Sequence, residues 1–324
     1  MRWRHALAGA GIALTAVAGT TGTGTATTSR VEPIEFTVDG ERMVGDLFLA
    51  DGVSPETPGP AVVVTGAWMT VRQQMATTYA RQLATRGYSA LVFDYRGWGE
   101  SEGARRQFED PAAKVIDTRA AIDYLVNRPD TDDARIGVVG ICASSGYIVE
   151  AASHPAVQSV ALAAPWLHDR DLVLQTYGGP AGVDTLLRNG AAAEEEFGRT
   201  GDQQFVPAAS LTDEQAIMFG APYYTEPARG MIPAWRNEAD PAFWRGWLDF
   251  DGVAKAGHLR RPLLMVHSES AAIPDGARRF YSAVASPKSE LWLDGVTQFD
   301  FYDQPAAVAT AADAIAVHFQ QTLS

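Results

Sequence analysis

Apolar positions along the chain fall into short runs separated by amphipathic stretches. IEFTV (34–38) and RMVGDLFLA (42–50) alternate apolar and polar residues around Asp39-Gly40. That is the pattern of two antiparallel strands joined by a tight turn. AVVVTG (61–66), SALVFDYRG (89–97) and RIGVVGIC (135–142) are nearly continuous apolar runs, as parallel strands covered on both faces require. VQSVALAAP (157–165), PLLMVHS (262–268) and SELWLDG (289–295) extend the series. Helical periodicity fills 71–86 and 111–127, and a last helix is expected over 306–323. The alternation predicts an α/β protein with a doubly wound, mostly parallel sheet and right-handed crossovers.

Residues 166–258 break this rhythm. They show no strand signal, carry the run Glu194-Glu195-Glu196, and are rich in aromatics: Tyr177, Tyr223, Tyr224, Trp235, Phe243, Trp244 and Trp247. The expected architecture is a core of 30–165 and 259–324, with 166–258 inserted as a mainly helical cap. Such a cap would sit over the C-terminal edge of the sheet, where open α/β folds bind ligands. Its aromatics line an apolar substrate pocket or form the cap's own core; the sequence leaves both open.

Composition narrows the partners. The chain has 324 residues, 46% hydrophobic and 20% charged, with a formal net charge of −13. An acidic chain without a basic patch repels phosphate backbones, so no nucleic-acid partner is expected. One cysteine excludes an intrachain disulfide, no Cys/His pair has zinc-site spacing, and neither a metal nor an organic cofactor is implied. Residues 1–29 pair Arg2 and Arg4 with an apolar stretch over 6–18 and small residues at Ala16 and Ala18. They read as a secretory signal peptide with a Gly/Thr tail, too short for a comfortable membrane span. The protein is therefore expected outside the cytoplasm, with no stable membrane insertion after cleavage. The alternatives are an uncleaved anchor or a start codon set too early, and a leader that is no signal leaves the protein cytoplasmic.

The sharpest chemical signal is GVVGICASSGY (137–147). A buried strand ends at Ile141, Cys142 opens a turn of small residues, and a helix is expected from about Tyr147. Strand, tight turn and helix with small neighbours make a nucleophile elbow, which presents one side chain at the top of the sheet. A helix N-terminus there would lower the thiol pKa, and the Ala143 N–H would point toward a developing oxyanion. A register shifted by two would make Ser144 the nucleophile instead, inside the first helical turn.

Gly140-Ile141-Cys142-Ala143-Ser144 resembles the G-x-S-x-G elbow of the α/β-hydrolase superfamily, with Cys at the nucleophile position and Ser for the last Gly. A cysteine there is similar to dienelactone-hydrolase-like members. FDYRGWGESEG (93–103) resembles the superfamily's D-x-R-G-x-G-x-S turn, and TGAWMT (65–70) its second oxyanion loop. The resemblance implies an oxyanion donor at Ala67 or Trp68. It also implies the chain order nucleophile, acid, histidine. The acid would be Glu269, with Asp275 in reserve, because Ser270 stands where many relatives carry aspartate. The histidine position, in VTQFDFYD (296–303), is occupied by Gln298, whose amide cannot take a proton at neutral pH.

Three repairs are open. His168, in APWLHD (164–169), could reach over the elbow as base, or simply anchor the cap. Cys142 could persist as a thiolate with Gln298 and Glu269 orienting substrate. Or the reaction is not hydrolysis. Asp300 is a reserve general base, if burial raises its pKa. The leading expectation is an enzyme cleaving or transferring the acyl group of a small, largely apolar ester, thioester or lactone. An acyltransferase, lyase or cyclase on the same fold, and a catalytically silent binder of lipophilic ligands, are the alternatives.

Overall fold

A computed structural model describes residues 30–323; the expected signal segment 1–29 lies outside the described residues. Asp39 and Gly40 both take left-handed φ, 52° and 88°, so the chain reverses within two residues. Strand β1 (Val31–Val38) thereby pairs antiparallel with β2 (Glu41–Phe48), from Val31↔Phe48 to Val38↔Glu41. The next elements are β3 (Gly59–Thr65), α1 (Met75–Ala84), β4 (Ser89–Phe93), α2 (Pro111–Val126), β5 (Thr131–Ile141), α3 (Ser144–Ala151) and β6 (Val157–Ala163). They form alternating β and α units. Helix α2 begins sharply because Asp110 accepts from the amides of Ala112 and Ala113 while Pro111 needs no acceptor.

The interruption holds α4 (Arg170–Thr176), α5 (Gly179–Thr200), two two-residue parallel strands β7 (Ala209–Ser210) and β8 (Met218–Phe219), and α6 (Trp244–Asp249). The two short strands correct the expectation of a strandless insertion; each is too short to carry a periodic signal. The core resumes with β9 (Leu263–His267), α7 (Pro274–Ala283), β10 (Lys288–Trp292), α8 (Asp300–Asp303) and α9 (Pro305–Thr322). The eight-stranded sheet runs β1-β2-β4-β3-β5-β6-β9-β10. β1–β2 and β2–β4 are antiparallel and every later pair is parallel, which is the α/β class read from the sequence. No helix among the described residues is long and apolar enough to cross a membrane.

Parallel register brings the functional loops together. Thr65 lies opposite Gly140, Ile141 opposite Ala163, and Ala163 opposite Val266. The segments leaving β3, β5, β6 and β9 therefore emerge side by side at one sheet edge, and the residues after β10 return to it.

Candidate active site

Cys142 follows the last residue of β5 with φ of +59°, a left-handed value that a non-glycine residue holds only when its surroundings enforce it. Its N–H donates to Ala163 O at 3.1 Å and its carbonyl accepts from Trp166 N at 2.9 Å. Helix α3 starts at Ser144, earlier than the sequence suggested, because the turn is this tight. Gly140 permits it: a Cβ there would lie 2.8 Å from Ser145 Cα.

The Ser144 hydroxyl is spent on the turn, donating to Ile141 O or Thr65 O and accepting from Ile141 N, all at 3.0–3.1 Å. Serine thus stands in for the motif's last glycine as a strut, with its hydroxyl engaged by the backbone of the turn.

The amides of Ala143 and Trp68 both hydrogen-bond the Cys142 sulfur. Of the two residues named after β3, it is Trp68 whose amide meets the sulfur, while Ala67 N faces Met75 Sδ at 3.5 Å. The loop is braced by Thr70 Oγ1 to Ala67 O (2.6 Å), Met69 N to Glu109 (3.3 Å) and Trp235 Nε1 to Met69 O (2.7 Å). Burial pushes the Cys142 thiol up to about 11 against the lowering effect of its hydrogen bonds. The expected helix-lowered thiolate is therefore corrected: desolvation outweighs the helix terminus, and the resting sulfur is a thiol.

Gln298 takes the histidine position and is fixed at both ends. Its Oε1 accepts from Ala272 N at 2.9 Å; its Nε2 donates to Ala164 O and to the Tyr302 hydroxyl, each at 3.0 Å. The Tyr302 hydroxyl and the Cys142 sulfur are in turn hydrogen-bonded to each other, and Gln298 lies within hydrogen-bonding reach of the sulfur too. Four carboxylate or imidazole candidates stand elsewhere. Glu269 is exposed and ion-paired with Arg278, because the chain beyond β9 turns outward. Asp275 is exposed in the first turn of α7. Asp300 caps its own turn, accepting from Thr297 N (2.8 Å) and Thr297 Oγ1 (2.6 Å). His168 accepts from Trp166 Nε1 at Nδ1 (2.9 Å) and donates from Nε2 to Trp247 O (3.0 Å). Burial lowers its pKa. It is a neutral anchor of the cap, with no ring nitrogen left for the thiol.

Above the sulfur is a closed cavity walled by Trp68, Trp166, Met218, Tyr224, Trp247, Phe299 and Tyr302. Its free space is roughly that of a single water. Of the seven cap aromatics singled out in the sequence, Tyr224 and Trp247 line it. Trp68 stacks on Trp247 at 4.6 Å between centroids and meets Phe243 edge-on at 5.5 Å. Tyr177 accepts from Trp247 Nε1 at 2.7 Å. The cap is tied down by Arg105 to Asp240 and Glu194, Gln74 Nε2 to Gly230 O (2.7 Å) and Arg229 to Asp303.

The model of the X-Pro dipeptidyl-peptidase (S15 family) matches residues 39–297. The chain belongs to this family. It is an α/β-hydrolase-fold enzyme of the hydrolase and esterase type. The family match spans the loop after β3, the turn at Cys142 and the cap, and stops one residue before Gln298. An uncharacterized protein of Escherichia coli K12, YcjY, is 27% identical over 286 residues, covering 81% of this chain and 89% of that protein. The uncharacterized Pseudomonas aeruginosa protein PA2218 is 28% identical over 287 residues, 82% of this chain and 74% of that protein. Its crystal structure superposes with a TM-score of 0.81 over 92% of this chain and 95% of its own, at 24% identity, a likeness of fold. A thiohydrolase of Aspergillus aculeatus, aneE, is 35% identical over 120 residues, 37% of this chain and 36% of that protein.

Within this family frame, sequence reasoning missed Tyr302. The signal was present: Tyr302 follows Gln298 by four residues, so one helical turn places both on the same face. A phenol titrates far from neutrality, so its residue type alone does not mark it as a proton-transfer partner.

Proposed function

We propose that this enzyme cleaves or transfers the acyl group of an ester, thioester or lactone through a covalent thioester on Cys142. One observation carries the reading: two backbone amides, from Ala143 and Trp68, converge at the sulfur of a left-handed elbow residue. A carbonyl carbon attacked there would place its developing oxyanion against donors already oriented for it. The cavity wall carries no charged side chain, so nothing in it would hold a charged peptide terminus. A largely apolar acyl group suits it better. The partial relative described as a thiohydrolase fits the same chemistry.

The test is intact-mass analysis after mixing with p-nitrophenyl butyrate. A butyryl adduct should form on the wild type and be absent in Cys142→Ala. Undiminished turnover by both Cys142→Ala and Cys142→Ser would sink the reading.

Gln298 favours transfer to an acceptor other than water as a second reading. Its amide activates no water, and the closed cavity admits little. Adding a small alcohol or thiol to the acyl-enzyme should then yield more transfer product than free acid.

A further inference from the structure

We propose that Tyr302 is the catalytic proton carrier of this site, passing the Cys142 thiol proton to the departing group while Gln298 holds its hydroxyl in place. The proposal rests on the reading of Cys142 as nucleophile. It starts from an unusual donor chain. Ala272 N–H fixes Gln298 Oε1, Gln298 Nε2 fixes Tyr302 Oη at 3.0 Å, and Tyr302 Oη meets the thiol. The second Gln298 N–H is committed to Ala164 O, so the amide cannot flip without losing bonds at both ends. A phenol oxygen accepts two hydrogen bonds and donates one. Oη can therefore keep the Gln298 bond, receive a proton from sulfur and release its own.

Acylation balances without an ion. The Sγ–H bond breaks and an Sγ–C bond forms to the carbonyl carbon. The thiol proton goes to Tyr302 Oη as the phenol proton goes to the leaving oxygen. The C–O bond breaks, an alcohol departs, and the acyl group stays on sulfur as a thioester. Tyr302 ends as it began. In reverse, an acceptor alcohol hands its proton through Oη back to sulfur.

A buried apolar cavity favours such a route, since it never places a net charge on imidazole, phenol or thiol. The titratable groups facing the sulfur and Tyr302 are Tyr147 on α3, Tyr177, Tyr223 and Tyr224 on the cap, and Tyr302 itself. Burial holds all five phenols neutral well past pH 9. Glu109 lies behind Tyr147, paired with Lys114.

The experiment is the pH dependence of the p-nitrophenolate burst from p-nitrophenyl butyrate between pH 6 and 9. The wild type should be nearly flat, because the relay moves a proton internally. Attack by a bare thiolate would instead rise about tenfold per pH unit below the thiol pKa. Such a slope in the wild type overturns the proposal. Tyr302→Phe should lower the burst rate at pH 7 by about 100-fold or more, and convert the flat profile to the tenfold-per-unit slope. A structural role would lower the rate by one factor at every pH, which also overturns it. If Tyr302→Phe does not fold, the wild-type profile decides alone. Absence of any butyryl adduct on Cys142 in the wild type would instead defeat the nucleophile reading, a result distinguishable from a sloped profile.

Discussion

The backbone N–H of Ala272 donates to Gln298 Oε1 at 2.9 Å. Where a carboxylate would accept a proton from a histidine, this site offers a donor. An imidazole at position 298 would have to accept from Ala272 on one nitrogen, which puts its proton on the other, facing Tyr302 and Cys142. That is the wrong tautomer for a general base, a defect that costs about 10⁴ in a serine protease. Gln298→His should therefore raise hydrolysis of p-nitrophenyl butyrate by less than about tenfold. Nitrogen NMR should show the proton on the thiol-facing nitrogen. A rise of 100-fold would mean that a histidine alone completes the site.

Beneath the oxyanion loop, Glu109 accepts from Lys114 Nζ at 2.7 and 2.8 Å, from the Tyr147 hydroxyl at 2.8 Å and from Met69 N at 3.3 Å. Both charges are buried. Removing one strands the other, so Glu109→Ala should destabilise the fold by about 3–5 kcal/mol in urea melts. Adding Lys114→Met should restore much of that loss. Equal stabilities for the single and double variants would show that the pair is not coupled.

Much of this fold was legible because parallel strands covered on both faces must be apolar runs. Each of the runs at 61–66, 135–142, 157–165 and 262–268 coincides with all or most of a strand of the sheet. The elbow was legible too, since Gly140 and the small residues after Cys142 answer to a steric demand that leaves its mark in sequence. The partners of Cys142 were not. Glu269 and His168 were selected for their chemistry, but one points to solvent toward Arg278 and the other is consumed by Trp166 and Trp247. Side-chain direction beyond a strand end depends on loop geometry that no periodicity encodes. The thiol pKa failed for a related reason: a helix terminus is visible in sequence, whereas the depth of burial produced by Trp68, Tyr224 and Trp247 is not.

His267 ends β9 fully buried, with its ring 5.2 Å from Trp292. Burial first, then the nearby charge of Arg278, lowers its pKa to about 3. The unfolded chain takes up a proton below about 6.5 that the folded protein refuses. Stability from this residue is therefore complete above pH 6.5 and is lost as pH falls toward 3, amounting to roughly 5 kcal/mol. Calorimetric melting temperatures should fall across that window in the wild type and fall less steeply in His267→Leu. Parallel slopes for the two proteins would refute the assignment.

Arg229 reaches from the cap to Asp303, with Nη2 2.8 Å from Oδ1, and to Phe299 O at 3.3 Å. It is one of the ties that hold the cap over a cavity too small for substrate, so its loss should ease the access of reagents to Cys142. Loss of a part-buried pair worth about 1 kcal/mol would raise the open population roughly fivefold. Iodoacetamide should alkylate wild-type Cys142 more slowly than a free thiol at pH 7, with the rate climbing toward the raised pKa of about 11. In Arg229→Ala the rate should rise by that fivefold factor at each pH, with the same slope. An altered slope would mean that the substitution changed the thiol's ionisation rather than its access.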